Sequence, residues 1–276
     1  MQVPSVNMLV LEMEIVGKTY GYYRIKITYG NKNALIAFSP DRRNLVFIDT
    51  GQLNDVLEQN EYQIRKLLHN KRKSTFYIGF KLKFALRNNK KVQEFNDPDK
   101  IIVLDRRNGN YLSYTLDYGD SDVYKIFTDG CYLQEKRSGG FVALTYGEKG
   151  FYKLYWGRLD GESNSTLLEL LAAIEGLKHL PEGVEKVRIV TDSRYVIKGL
   201  TEWVINWKLN DWYTIQGRKV RNIEYWQEFD KLTQGKYVEF QWIKSHSFHF
   251  ENTICDHYAR EAATKNIKRN PKKVKL

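Results

Sequence analysis

Two strand-like segments that both end in Thr-Asp limit the folds that this chain can adopt more than any other sequence feature. Residues 125–130 read Lys-Ile-Phe-Thr-Asp-Gly and alternate with the period of two that a β-strand has. Residues 187–192 are almost continuously apolar before their own Thr-Asp pair. A helix predicted over residues 166–180 separates them, so a crossover connects the two strands and we expect them to pair in parallel. Asp129 and Asp192 would then face each other at the edge where α/β sheets hold their ligands.

The residue after the first aspartate allows two interpretations. Gly130 predicts that the strand stops at Asp129 and that the chain turns sharply there. The same Asp-Gly pair also marks ordinary hairpin turns. It therefore indicates a functional site only if other carboxylates lie close to Asp129 in the fold.

A third carboxylate lies early in the predicted helix. Glu169 shares its helical stripe with small and apolar residues, among them Ala172 and Ala173. A carboxylate on such a stripe is costly unless it is paired or holds a metal, and we favour the functional role over a structural ion pair. Carboxylates in contact repel one another, and a divalent cation with oxygen ligands, normally magnesium, relieves that repulsion. The sequence therefore predicts a magnesium site at Asp129 and Asp192, with Glu169 as a further candidate ligand.

Residues 123–264 resemble the type 1 ribonuclease H family, and its bacterial form most closely. The resemblance is carried by four motifs in the order and spacing of that family: Phe-Thr-Asp129-Gly, Leu-Glu169-Leu-Leu-Ala-Ala-Ile, Val-Thr-Asp192-Ser-Arg-Tyr-Val, and Ile-Lys-Ser-His246 followed by Asn-Thr-Ile-Cys-Asp256. It implies an α/β fold with a five-stranded mixed sheet flanked by helices. It also implies endonucleolytic hydrolysis of the RNA strand of RNA–DNA hybrids, leaving 5′-phosphate and 3′-hydroxyl ends.

The resemblance also implies a complete metal site. Asp129, Glu169, Asp192 and Asp256 match the family's metal-binding carboxylates, and His246 matches its catalytic histidine. Without the resemblance, Asp256 would be interpreted as a helix-dipole residue in the first turn of a helix, and His246 as a surface residue. The implied cofactors are two Mg²⁺ ions, with Mn²⁺ as a substitute, which activate water and stabilise the leaving oxygen.

Substrate contacts are implied at two places. RNA is distinguished from DNA by contacts to the 2′-hydroxyl, which the resemblance assigns to the backbone near Gly130 and Cys131 and to the polar run Asn164, Ser165 and Thr166. Residues 200–226 resemble the family's substrate-binding handle. The handle residues that we expect to bind substrate are Trp207, Trp212, Arg218, Lys219 and Asn222.

The handle also contains packing residues, and one of its segments departs from the family. Trp203 and Trp226 are interpreted as packing residues that attach the handle to the body of the domain. The family's basic cluster after the second tryptophan is diluted here to Lys208-Leu-Asn-Asp211. Because fewer basic residues remain in the handle, we expect the N-terminal half of the chain to contribute part of the affinity for nucleic acid.

Residues 1–118 are predicted to form a small, strand-rich α+β domain of no familiar type. The pattern predicts a helix over residues 51–70 and strands over residues 8–16, 20–29, 33–39, 45–49, 74–87, 100–105 and 111–116. Lys81, Lys83 and Arg87 fall on one strand face and predict a nucleic-acid patch. The alternative is an edge strand whose lysines protect it from aggregation.

The domains expected from these patterns are residues 1–118, a short linker at 119–122, the ribonuclease H-like domain at 123–266 and a basic tail at 267–276. The formal net charge of +11 over 276 residues favours a polyanionic partner. Two cysteines exclude a disulfide framework, and no apolar run reaches the roughly 18 residues of a membrane span. We expect a monomeric cytoplasmic protein, or a nuclear one if the source is eukaryotic. Its expected partners are RNA–DNA hybrids and, through the N-terminal domain, duplex nucleic acid.

Two other functions stay open at the level of the sequence. The N-terminal domain could direct the same catalytic fold to branched or structured DNA. The other alternative is a noncatalytic hybrid-binding protein, although such a protein has no reason to keep all four carboxylates.

Overall fold

The apolar alternation of the N-terminal half produces a five-stranded antiparallel sheet in the computed structural model. The structure describes residues 8–87, 101–105, 112–115, 123–146, 151–161, 163–245, 249–265 and 272–274. The strands of the first sheet are β1 (Met8–Thr19), β2 (Tyr22–Tyr29), β3 (Lys32–Ser39), β4 (Asn44–Asp49) and β5 (Lys81–Arg87). Their order across the sheet is β4-β3-β2-β1-β5.

One face of this sheet is covered by two helices, α1 (Asn54–Gln59) and α2 (Glu61–Asn70). Alternate strand residues such as Leu11, Ile25 and Phe84 are buried in the core that the sheet shares with these helices. The period-two pattern thus gives the sheet one buried and one more exposed face.

Two predicted elements of this half differ from the structure. The single helix predicted over residues 51–70 is interrupted at Asn60, whose buried side-chain amide donates a hydrogen bond to the Val56 carbonyl at 2.8 Å. Asparagine side chains compete for nearby backbone groups, which explains the break. The strand predicted over residues 74–87 begins only at Lys81, because a turn precedes it.

The C-terminal half contains a second sheet built around parallel strands. Its strands are β6 (Ile101–Asp105), β7 (Leu112–Thr115), β8 (Tyr124–Leu133), β9 (Ser138–Tyr146), β10 (Tyr152–Asp160), β11 (Lys186–Thr191), β12 (Tyr237–Trp242) and β13 (Lys272–Val274), in the order β13-β10-β9-β8-β11-β12-β6-β7. β8 pairs antiparallel with β9 and parallel with β11, and β11 pairs parallel with β12. The predicted five-stranded mixed sheet, β8 to β12, is confirmed.

Helices flank this sheet as predicted. They are α3 (Ser165–Lys178), α4 (Arg194–Lys198), α5 (Val204–Leu209), α6 (Ile223–Thr233) and α7 (Phe250–Thr264). Leu168 of α3 packs against Phe141 of β9, and Ala259 of α7 lies in one core cluster with Val142. These two helices carry two of the predicted carboxylates.

Strands from outside the five central ones lengthen the second sheet at both edges. β6 pairs antiparallel with β12, and β7 pairs with β6. β13, which comes from the predicted basic tail, pairs with β10. These additions occupy backbone N–H and C=O groups that an edge strand would otherwise leave unpaired.

The chain separates into two compact units. The N-terminal unit comprises residues 7–88 and 203–221, and the C-terminal unit contains the rest of the described chain. This division differs from the one predicted at residues 119–122, because β6 and β7 join the second sheet and Ile215 of the handle packs against the core of the first. Among the described residues, no helix has the length and apolar character needed to cross a bilayer.

Candidate metal centre and nucleic-acid contacts

Asp129 lies within β8 rather than at its end. The strand continues through Gly130 to Leu133, so the sharp turn predicted at the Asp-Gly pair is wrong. A Cβ atom at Gly130 would lie 2.6 Å from both the Glu169 backbone nitrogen and the Leu168 carbonyl carbon. The glycine therefore lets the first turns of α3 approach the strand directly beside Asp129.

The helix α3 brings Glu169 to the same place. Asn164 caps this helix through its side-chain oxygen, which accepts a hydrogen bond from the Leu167 N–H at 2.9 Å. The helix packs tightly on β8, because a Cβ atom at Gly176 would lie 2.4 Å from Ile126 Cγ2. Glu169 is buried, as its position on an apolar stripe predicted.

Asp192 directly follows β11, whose parallel pairing with β8 ends at Val190 and Phe127. Asp192 and Asp129 thus lie beyond the paired part of the two strands, at the same edge of the sheet. The Trp242 indole Nε1 donates a hydrogen bond to the Asp192 carbonyl oxygen at 3.1 Å. This bond holds the backbone that carries the carboxylate.

The three carboxylates converge on one point. One oxygen from each of Asp129, Glu169 and Asp192 lies within 4.8 Å of the other two. The Gly130 N–H donates to Asp129 Oδ1 at 2.8 Å and to Glu169 Oε1 at 3.1 Å, which ties two of the carboxylates together. Glu169 Oε2 is buried and accepts no hydrogen bond, so this oxygen is free to bind a cation.

The cluster carries an electrostatic penalty that a cation would remove. Burial, and next the Asp192 charge, raise the pKa of Asp129 to about 7. Burial, and next the charges of Asp129 and Asp192, raise the pKa of Glu169 well above its usual range. A divalent cation offsets the repulsion and supplies a partner for the unbonded oxygen. The donor set, oxygen atoms only, fits magnesium or manganese.

Asp256 lies near this cluster without joining the three converging oxygens. Its charge contributes to the raised pKa of Asp129. Both of its carboxylate oxygens accept from Nε of Arg260, one turn further along α7, at 3.0 and 3.1 Å. His246 lies outside the described residues, so its catalytic role stays a prediction.

The predicted contact residues of the C-terminal unit have the following surroundings. Ser165 and Thr166 are exposed in the first turn of α3, whereas the Asn164 oxygen is engaged in capping it. Cys131 is half-buried, and burial raises the pKa of its thiol. Asn222 begins α6 with a left-handed φ of 55°, a conformation that asparagine tolerates, which is a structural reason for its presence. The substrate contacts of these residues stay predictions.

The handle tryptophans divide between the two units. Trp203, Trp207 and Trp212 form a row of tilted rings in the N-terminal unit, with centroid separations of 5.9 and 6.4 Å. Trp226 is fully buried in the C-terminal unit, where a Cβ atom at Gly199 would lie 1.8 Å from its ring. This burial agrees with the packing role predicted for Trp226.

Two asparagines of α5 and its C-terminal end bind the free edge of the first sheet. Asn210 Oδ1 accepts from the Lys83 N–H at 3.0 Å, and its Nδ2 donates to the Lys83 carbonyl at 2.7 Å. Asn206 Oδ1 accepts from the Ala85 N–H at 2.9 Å. The segment that departs from the family's basic cluster is therefore engaged with β5, where its amides take the place of a neighbouring strand.

The predicted nucleic-acid patch on β5 has acidic neighbours. The register of β1 and β5 pairs Lys81 with Glu14 and Lys83 with Glu12, and Lys81 Nζ lies 3.5 Å from Glu14 Oε2. The side chain of Arg87 lies outside the described residues. Cross-strand pairing favours a structural role for the two lysines, and their contact with nucleic acid stays a prediction.

Two residues near the carboxylates were missed by the sequence analysis. Arg260 pairs with Asp256, and the four-residue spacing of opposite charges on a helix is a signal that could have identified it. Trp242 holds Asp192 through the parallel register of β11 and β12, which pairs Trp242 with Thr191. Such a register cannot be obtained from motif spacing.

The C-terminal half of the chain is similar to known proteins. The sequence model of the family described as RNase H matches residues 121–264. A ribonuclease H of Aeromonas hydrophila is 40% identical over 140 residues, which cover 50% of this chain and 88% of that protein. A ribonuclease HI of Vibrio cholerae is 40% identical over 142 residues, which cover 50% of this chain and 87% of that protein. Among solved structures, the solution structure of the PFV RNase H domain is 21% identical and covers 52% of this chain and 98% of its own, with a TM-score of 0.44.

Proposed function

The chain belongs to the ribonuclease H family, whose members are metal-dependent hydrolases of RNA–DNA hybrids, and from this premise we propose that it hydrolyses the RNA strand of such hybrids by two-metal-ion catalysis. The observation that carries the proposal is the convergence of three carboxylate oxygens within 4.8 Å of one another. The raised pKa of Asp129, caused first by burial and next by the Asp192 charge, supports it, because such a cluster is costly in a protein that binds no cation.

Each carboxylate has its own task in this proposal. Asp129, Glu169 and Asp192 would hold the metals, and the Gly130 N–H donates to the carboxylates of the first two. Asp256 would exchange its Arg260 partner for a cation, so that Arg260 neutralises this carboxylate only while no metal is bound. The chemistry that a bound pair of Mg²⁺ or Mn²⁺ ions supplies is activation of the attacking water and stabilisation of the leaving 3′ oxygen.

The products follow from the bonds exchanged. The water oxygen bonds to phosphorus while the bond from phosphorus to the 3′ oxygen breaks. The attacking water gives up a proton and the 3′ oxygen takes one up, and we assign the handling of these protons to His246. The RNA fragments then carry 5′-phosphate and 3′-hydroxyl ends.

Recognition of the RNA strand is assigned to groups beside the carboxylates. The backbone at Gly130 and Cys131 and the exposed Ser165 and Thr166 would contact 2′-hydroxyls, which DNA lacks. In the handle, Trp207 and Trp212 would pack on the sugars of the DNA strand. Because this substrate arises where nucleic acids are copied, we place the activity inside the cell.

A substrate panel tests the proposed function. The full chain is incubated in Mg²⁺ with an RNA–DNA hybrid, a DNA duplex and a four-way DNA junction, and each strand carries its own label. We expect that only the RNA strand of the hybrid is cut. A ligase should join the resulting ends without prior kinase or phosphatase treatment, because they carry a 5′-phosphate and a 3′-hydroxyl. Preferred cutting of the junction would favour a structured-DNA nuclease, and binding of the hybrid without cutting would favour a noncatalytic protein.

A further inference from the structure

The segment between α2 and β5 forms a turn that several contacts hold in place. The Gly79 N–H donates to the Ile15 carbonyl at 2.7 Å, and the Ile15 N–H donates to the Phe80 carbonyl at 2.9 Å. Lys71 is buried, with Nζ 3.0 Å from the centre of the Phe80 ring. The Tyr77 ring packs edge-on against the same ring, with 5.6 Å between the centroids. The turn is therefore fixed to the sheet by its backbone and by its side chains.

Two large side chains project from this turn. Tyr77 is 56% exposed and Ile78 is 64% exposed. Scattered exposed apolar residues are normal and need no explanation. Here the two neighbours share one fixed turn, so their positions on the surface are defined before any partner binds.

A turn of the handle lies beside the first one, within the same unit. Ile215 packs against the core of the first sheet, and Gln216 Nε2 donates to the Asn70 carbonyl at 3.1 Å. A Cβ atom at Gly217 would lie 3.7 Å from Thr75 Cγ2. The two turns are thus parts of one surface.

Three exposed cations flank these turns. Arg72 lies just after α2, at the start of the segment that forms the first turn. Arg218 and Lys219 lie in the second turn. Within the described part of the chain, none of the three takes part in an ion pair. Lys73, by contrast, is paired with Asp41. Unpaired cations beside exposed apolar side chains are typical of surfaces that bind nucleic acid.

We propose that the surface formed by Arg72, Tyr77, Ile78, Arg218 and Lys219, called the tip surface below, binds a nucleic-acid duplex, the RNA–DNA hybrid, separately from the carboxylate cluster. The cations contact phosphates of the backbone, and Tyr77 and Ile78 contact sugars and base edges in a groove. A protein partner is a poorer fit, because the centres of protein interfaces are depleted of charged residues. The choice of the hybrid as ligand rests on the proposed function.

The test measures binding by the full chain carrying Asp192→Asn, which prevents consumption of the substrate. Anisotropy of a labelled RNA–DNA hybrid is followed as KCl is raised, for the parent, for Arg72→Ala and for Tyr77→Ser/Ile78→Ser. Removing one phosphate contact should lower the slope of log Kd against log salt by about one. Removing the two groove contacts should weaken binding at least about fivefold.

Matched surface changes on α2 serve as controls. Tyr62→Ser replaces a tyrosine that is 62% exposed, and Lys66→Ala removes an exposed lysine. Both should bind the hybrid as the parent does. Affinities and salt slopes of the Arg72 and Tyr77/Ile78 variants equal to those of the controls would overturn the proposal and leave the exposed pair to a protein partner.

Hybrid cleavage by the wild-type chain, measured separately, distinguishes the two proposals. If the wild type cuts the hybrid while the tip variants bind like the parent, the tip surface is refuted and the proposed function stands. If the wild type cuts no hybrid while the tip variants still lose affinity, the proposed function is refuted and the tip surface stands.

Discussion

Asp129 carries a proton in much of the metal-free protein at neutral pH, because burial and then the Asp192 charge raise its pKa from 3.8 to about 7. Between these two values the folded chain holds a proton that the unfolded chain has released. The contribution of this group to stability is therefore greatest at low pH and is lost as the pH rises through about 7.

The pH dependence of unfolding tests this assignment. In EDTA, raising the pH from about 4.5 to about 7.5 should lower the free energy of unfolding of the wild type more than that of Asp129→Asn, by on the order of 1–3 kcal/mol. Urea unfolding of both proteins across this range gives the difference. Adding Mg²⁺ should remove most of it, because the cation takes the place of the proton. Parallel curves for the two proteins in EDTA would show that Asp129 titrates normally.

Gly130 makes a second prediction at the scale of a single residue. Gly130→Ala places a Cβ atom 2.6 Å from the backbone of α3, so the helix must shift and carry Glu169 with it. We expect a loss of about 1–3 kcal/mol of stability, together with a loss of Mg²⁺ binding measured by calorimetry. The control is Gly17→Ala, where the nearest atom is the flexible Arg24 Cδ at 3.8 Å. If Gly130→Ala bound the metal as well as the control does, the close approach of α3 would be unnecessary for the site.

At the scale of elements, the parallel pair of β11 and β12 contains a buried ion pair. Arg188 Nε lies 2.7 Å from Glu239 Oε2, and the side chains are 3% and 0% exposed. Glu239→Gln removes the negative charge that lies against the buried Arg188 guanidinium, so we expect a loss of about 3 kcal/mol in the free energy of unfolding. Arg188→Met/Glu239→Leu should recover most of this loss, because it removes both charges. If the double variant is no more stable than Glu239→Gln, the loss of stability does not come from an unbalanced buried charge.

The central elements could be predicted because their patterns are local. The strand periods and the crossover between the strands placed Asp129 and Asp192 together without a relative, and the apolar helical stripe around Glu169 indicated a functional role for that residue. Asp256 and His246 needed the resemblance, since the four-residue spacing that ties Asp256 to Arg260 is shared by many surface helices. The turn predicted at the Asp-Gly pair was wrong because a glycine that lets a helix approach a strand cannot be distinguished by sequence from a glycine that forms a turn.

Pairings between distant segments could not be predicted. The addition of β6 to β12 depends on which free edge is nearest in space. The bonds from Asn206 and Asn210 to β5 arise only when a helix lies along that edge. Neither feature leaves a periodic signal, which explains why the predicted boundary at residues 119–122 differs from the division of the structure.

The two compact units of the molecule carry different functional groups. The C-terminal unit carries the carboxylates, and the N-terminal unit contains the handle tryptophans together with the tip surface. Lys81 and Lys83 of β5 lie opposite glutamates of β1, whereas Arg72, Arg218 and Lys219 of the tip surface have no ion pair within the described residues. Binding and cutting should therefore respond to different substitutions.

The most direct test of the central claim compares the wild type with Asp192→Asn on a labelled RNA–DNA hybrid in Mg²⁺. The substitution keeps the shape of the side chain and removes one of the three converging charges. We expect RNA cleavage to fall to the uncatalysed background while the affinity for the hybrid stays within about twofold, because the tip surface and the handle are untouched. Cleavage by Asp192→Asn at a rate near that of the wild type would contradict the assignment of these carboxylates as the catalytic metal site.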